Sequence, residues 1–130
     1  MPGPEPTIAD VLAAGDHATM SFEFFPPKDD AGQAPLHPDF VSVTYGASGS
    51  TRARTIDATR LIRQRTSALT MGHLTCVSQS VADLRGALDA YADAGVRHIL
   101  AVRGDPPGGP SAPWERHPDG LDHATDLVRL

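Results

Sequence analysis

The sequence predicts an α/β fold of parallel (β/α) units, either a doubly wound sheet or a (β/α)8 barrel. Two observations carry this. Four short runs rich in β-branched and aromatic residues, at 20–25, 40–45, 73–77 and 97–102, end in turn residues. Segments with the three- and four-residue spacing of amphipathic helices lie between the later runs.

The elements follow in order. Thr7 caps a short first helix that reaches about Ala14 and closes at Gly15. Strand one is Met20 to Phe25, ended by Pro26-Pro27, and strand two is Phe40 to Tyr45, ended by a glycine-rich loop at 46–50. A helix from about Arg52 to Arg65 presents Ala58, Leu61 and Ile62 as its apolar face. Strand three is His73 to Val77. Ser80 then caps a helix with Asp83 at its third position, Val81, Leu84, Leu88 and Tyr91 recur along one side, and Gly95 stops it. Strand four is Arg97 to Val102. A Pro/Gly loop runs from Gly104 to about Gly120, and a last helix starts at Leu121 with Leu121, Ala124 and Val128 in phase.

The 130 residues, 40% of them hydrophobic, suit a single domain over 1–130. Sixteen acidic residues against 11 basic ones give no support to nucleic-acid binding. No apolar run approaches the ~18 residues of a membrane span, and residues 1–5 lack the features of a secretory signal. Cys76 is the one cysteine, which excludes an intrachain disulfide and fits a reducing cytoplasm. A complete barrel needs about 250 residues. The expectation is therefore an incomplete (β/α)8 barrel with about four strands. Its first crossover helix is expected to be missing, because Pro26, Pro27, Pro35 and Pro38 interrupt the link between strands one and two.

Alternation along a strand sorts side chains by face. Ser21, Glu23 and Phe25 share one face of strand one; Ser42 and Thr44, His73 and Thr75, and Ile99, Ala101 and Arg103 are their expected counterparts. The opposite parities, such as Val41/Val43/Tyr45, Leu74/Cys76 and Leu100/Val102, are oily and are expected to meet the helices. In a barrel, Glu23, Thr44, His73 and Arg103 then ring the carboxyl-end mouth, where such enzymes work. Each has a plainer reading: Glu23 as a buried acid paired with Arg103, His73 as a satisfied core histidine, Thr44 as an ordinary strand residue, Cys76 as a small core residue. The 46–50 loop lacks the lysine of a P-loop, and the six histidines show no metal-ligand spacing. No metal is expected.

Four motifs together resemble one family. Ser21-Phe22-Glu23-Phe24-Phe25-Pro26-Pro27-Lys28 is similar to the opening strand of methylenetetrahydrofolate reductases. Phe40 to Ala47, running on to Gly49-Ser50-Thr51-Arg52, is similar to the second strand and its loop. His73-Leu74-Thr75-Cys76 and Arg97-His98-Ile99 through Arg103-Gly104-Asp105-Pro106-Pro107 resemble the third and fourth. The resemblance implies a (β/α)8 barrel that binds FAD at the carboxyl ends of its strands and reduces 5,10-methylenetetrahydrofolate with NAD(P)H. It implies Glu23 as general acid on the folate, with Asp105 near both flavin and pterin. Thr44, Tyr45, His73, Arg103, Gly104 and Asp105 are implied to bind the flavin. The chemistry suits a carboxylic acid. The methylene carbon becomes electrophilic when the imidazolidine ring opens, which needs a proton on the leaving nitrogen, and apolar surroundings make an acid able to supply one near neutrality. Because the strands beyond the fourth are absent, the chain is expected to be a fragment of such a reductase. It is expected to self-associate through its open edges and to bind FAD weakly. The alternative is a non-catalytic remnant that binds FAD or a partner.

Overall fold

In the computed structural model, the described residues are 4–15, 17–24, 38–45 and 49–130. The proline-rich link, with the question of its crossover helix, lies outside them, as do Phe25 and residues 46–48.

Local chemistry fixes the helix starts. Helix α1 (Ile8–Ala14) begins with a reciprocal cap: the Thr7 hydroxyl accepts from the Asp10 N–H, and the Asp10 carboxylate accepts from the Thr7 N–H at 2.8 Å. Ser80 and Asp83 do the same at 3.1 and 3.0 Å for the helix Val81–Asp93. That helix ends with the Val96 N–H on the Tyr91 carbonyl and the Gly95 N–H on the Ala92 carbonyl, a closure that needs Gly95 at φ 76°.

Strands β1 (Ser21–Phe24), β2 (Phe40–Val43), β3 (Leu69–Thr75) and β4 (His98–Val102) form one parallel sheet in sequence order. Helix α2 (Gly49–Arg65) follows β2, α3 (Val81–Asp93) follows β3, and α4 (Ala124–Val128) follows β4 and its long loop. This is the expected α/β architecture with four parallel strands. β3 begins at Leu69, four residues before His73, because Leu69 and Thr70 are buried against β2.

The register decides which face each side chain takes. Glu23 pairs with Ser42, Ser42 with Met71, His73 with Leu100 and Thr75 with Val102. These residues therefore share one face. Val41, Val43, Gly72, Leu74, Ile99 and Ala101 share the other, which the helices cover. The expected faces hold for the first three strands and are reversed in the fourth. Ile99 and Ala101 pack on the core, while Leu100 is 42% exposed on the side of His73.

The core joins Tyr45, Ile56, Leu74, Cys76, Leu84, Ala87, Tyr91 and Leu127. Tyr91 lies so close to β3 that a Cβ on Gly72 would sit 2.5 Å from its ring. Two helices turn differently from expectation. On α2 the buried face is Thr55, Ile56 and Thr59, and Leu61 is 46% exposed. The threonines can face the sheet because their hydroxyls bond main-chain carbonyls. On α4, which starts at Ala124, Leu127 enters the core and Val128 is exposed. There the Asp126 carboxylate accepts from the His123 N–H and sets the helix start three residues beyond Leu121.

Two glycines should respond to alanine in opposite directions. Gly72→Ala should cost about 1–3 kcal/mol by forcing Tyr91 off the strand. Gly86→Ala, at an open position inside α3 where a Cβ meets nothing within 4 Å, should stabilise by about 0.5–1 kcal/mol. Urea midpoints of the two variants, read beside the parent chain, check both signs.

Candidate functional site

The sheet face that no helix covers among the described residues carries the polar residues, and three of them meet at its carboxyl end. Glu23 comes from β1 and Thr44 from the residue after β2. The Thr44 hydroxyl donates to Glu23 Oε1 at 2.7 Å. His73, from the last turn of the pleat in β3, places Nδ1 3.8 Å from the same oxygen. One carboxylate oxygen thus faces a hydroxyl and an imidazole. Glu23 keeps about half its side chain, 51%, in solvent, so it is not the enclosed acid that strand composition suggests.

His73 is different. It is only 9% exposed, and Nε2 has no hydrogen-bond partner among the described residues. Burial pushes the imidazole below the ordinary histidine range, and the Glu23 carboxylate pulls it partly back. The ring is therefore neutral near pH 7.

Tyr45 is not part of this cluster. It lies on the helix side in the core, 7% exposed, with its hydroxyl donating to Gln79 Oε1 at 3.4 Å and its phenol pushed up by burial. Its parity, one residue on from Thr44, sends it away from Glu23. Arg103 also stands apart from the expected pairing with Glu23. Its guanidinium carbon lies 4.3 Å from the centre of the Trp114 ring, an attractive cation–π distance. Gly104 has φ 80°, and a Cβ there would meet Val77 Cγ1 at 2.6 Å, so the chain leaves β4 along a path that only glycine allows. Asp105 follows, exposed, at the start of the long loop. Cys76 is the core residue expected, with its thiol pushed up by burial.

Sequence reasoning missed several residues behind this rim. Gln79, 2% exposed, donates from Nε2 to the Thr75 carbonyl and accepts from Tyr45. Thr55 and Tyr91 donate to the carbonyls of Thr44 and His73. Their signal was faint: two threonines four apart inside a helix, and a glutamine one place before a helix cap. A cavity of about 330 Å³ lies at the amino-terminal end of the strands, bounded by Glu5, Arg63, Leu69 and His98. The 2.8 Å Glu5–Arg63 ion pair already answers charge there.

A parallel sheet whose strands lie in sequence order, with a polar cluster at their carboxyl ends, is the arrangement of a partial (β/α) barrel. The model of the methylenetetrahydrofolate reductase family matches residues 7–130, and the chain belongs to that family. It is 41% identical over 123 residues to the 5,10-methylenetetrahydrofolate reductase of Pectobacterium carotovorum, covering 85% of this chain and 38% of that protein. It is 38% identical over 121 residues to the Escherichia coli enzyme of the same name, with the same coverage of 85% and 38%. Against maize methylenetetrahydrofolate reductase (NADH) 1 it is 38% identical over 128 residues, 90% of this chain and 21% of the relative. The chain thus spans well under half the length of these relatives.

The buried neutral His73 gives stability a pH dependence. Its folded pKa lies below the unfolded value of about 6.5, so the unfolded chain takes up the proton first as pH falls. Stability is full above about pH 6.5 and is lost as pH drops toward the folded value. Urea unfolding at pH 7.5 and 5.0 should show a smaller acid loss in His73→Gln than in the parent; equal losses would contradict it.

Proposed function

We propose that this chain supplies the proton-donating side of a flavin-dependent site that reduces 5,10-methylenetetrahydrofolate to 5-methyltetrahydrofolate with NAD(P)H. The observation that carries the reading is the meeting of Glu23, Thr44 and His73 at the carboxyl end of one sheet face, in a chain of this family.

The residues present fit a flavin. His73 Nε2 is a buried polar atom without a hydrogen-bond partner among the described residues, and Gly104, packed too closely on Val77 for any side chain, brings bare main chain to the same end of the sheet. Thr44, His73, Arg103, Gly104 and Asp105 are the residues proposed to hold it; Tyr45 would act only from behind, through the backbone it anchors. FAD held there would supply hydride-transfer chemistry between NAD(P)H and the folate. Glu23 supplies the proton. Thr44 donates to Oε1, so the proton to be delivered rides on Oε2, the oxygen left for the folate nitrogen. Asp105 is proposed to face the pterin. The half-open setting of Glu23 favours a second reading, in which the chain by itself binds flavin without turnover.

Glu23→Gln keeps the shape and removes the proton. The test uses a preparation that turns over, the chain alone or joined to the remaining length of a bacterial relative. Flavin reduction by NADH should persist, while the folate half-reaction should fall about 100-fold or more. Equal falls in both half-reactions would overturn the acid assignment. The edges β1 and β4, with Met20 and Leu100 at 59% and 42% exposure, are further proposed to drive self-association. Sedimentation should show mass rising with concentration, and a monomer at every concentration would count against it.

A further inference from the structure

We propose that Thr55 and Tyr91, two buried hydroxyls on the helices behind the sheet, are positioning residues that aim Thr44 and His73 at Glu23. The proposal rests on the reading of Glu23 as proton donor and adds the groups that hold it in place.

The geometry is paired. Thr55, 0% exposed on α2, donates from Oγ1 to the Thr44 carbonyl at 3.1 Å. Thr44 lies beyond the last ladder pair of β2 with β3, Val43 with Gly72, so this bond holds main chain that the ladder has released. Tyr91, 1% exposed on α3, donates to the His73 carbonyl at 2.9 Å while its ring rests on Gly72. The Thr44 hydroxyl and His73 Nδ1 then converge on one atom, Glu23 Oε1. Thr59 braces the first anchor: its hydroxyl donates to the Thr55 carbonyl at 2.6 Å.

Residue choice argues the same way. Threonine is a weaker helix former than alanine or leucine, and the face of a helix against a sheet is ordinarily apolar. Here α2 buries two threonines completely and leaves Leu61 outside. A valine would fill the same space at position 55. The hydroxyl is what the Thr44 carbonyl requires, and a shift of a few tenths of an ångström in Thr44 is passed directly to the carboxylate.

The test replaces each hydroxyl without changing volume. Thr55→Val should slow the folate half-reaction about tenfold, the worth of one hydrogen bond, and should slow flavin reduction by NADH clearly less when FAD is saturating. Thr55→Ser should restore the folate rate to within about threefold. If Thr55 acts through Thr44, the double variant Thr55→Val/Thr44→Val should be no slower than Thr44→Val alone. A readout free of turnover is the Glu23 side-chain carboxyl carbon-13 resonance, assigned by its loss in Glu23→Gln. It should move in Thr55→Val and return in Thr55→Ser. Should Thr55→Val not fold, Tyr91→Phe carries the same test and should give the same selective loss. Additive losses, equal falls in both half-reactions, or an unmoved Glu23 resonance would overturn the proposal. A folate rate untouched by Glu23→Gln would instead sink the proton-donor reading itself.

Discussion

The parallel register of the four strands is the constraint on which the site depends. Side chains alternate along each strand, so a slip of one residue between β1 and β2 would turn Glu23 toward the helices and Phe22 toward solvent. In the observed register Glu23, Thr44 and His73 fall on one face at one end. The packing behind the sheet enforces that register. Tyr91 needs the bare backbone of Gly72, and no neighbouring position of β3 offers a glycine to receive it. The same contact brings the Tyr91 hydroxyl to the His73 carbonyl, so core packing and site placement are one event.

The helix layer does two kinds of work. Leu84, Ala87 and Leu127 bury apolar surface against Leu74 and Cys76, which favours folding without specifying direction. Thr55 and Tyr91, with Gln79 just before α3, instead place hydrogen bonds on the carbonyls of Thr44, His73 and Thr75, which specifies where strand ends lie. Satisfied in this way, polar side chains are buried at small net cost and yield a single arrangement. The result is a rim whose backbone is held from behind while the Glu23 side chain stays open in front. Thr75, Val77 and Arg103 are tied into it, with the Val77 N–H on the Arg103 carbonyl at 3.0 Å.

Much of this was legible in the sequence where a polar residue or a cap marked the choice. Thr7/Asp10 and Ser80/Asp83 declared their helices, and Glu23, Ser42 and His73 marked one parity in the first three strands. Strand four has no such mark. Ile99, Leu100, Ala101 and Val102 are all apolar, so alternation could not say which pair faces the helices. On α2, hydrophobicity pointed to Leu61, whereas hydrogen bonding to the Thr44 carbonyl won. Resemblance to the family grouped Tyr45 with the flavin residues, but its parity places it in the core. A side chain one residue from a site residue in a strand faces the other way.

Ligand chemistry is proposed to take place at the carboxyl-end rim of the sheet face that no helix covers among the described residues. The most direct measurement is a nitrogen-15 correlation spectrum of the chain titrated with FAD. Shifts should concentrate at Thr44, His73, Thr75, Arg103 and Gly104. Shifts concentrated instead at Glu5, Arg63, Arg97 and His98, around the cavity at the opposite ends of the strands, would contradict the account.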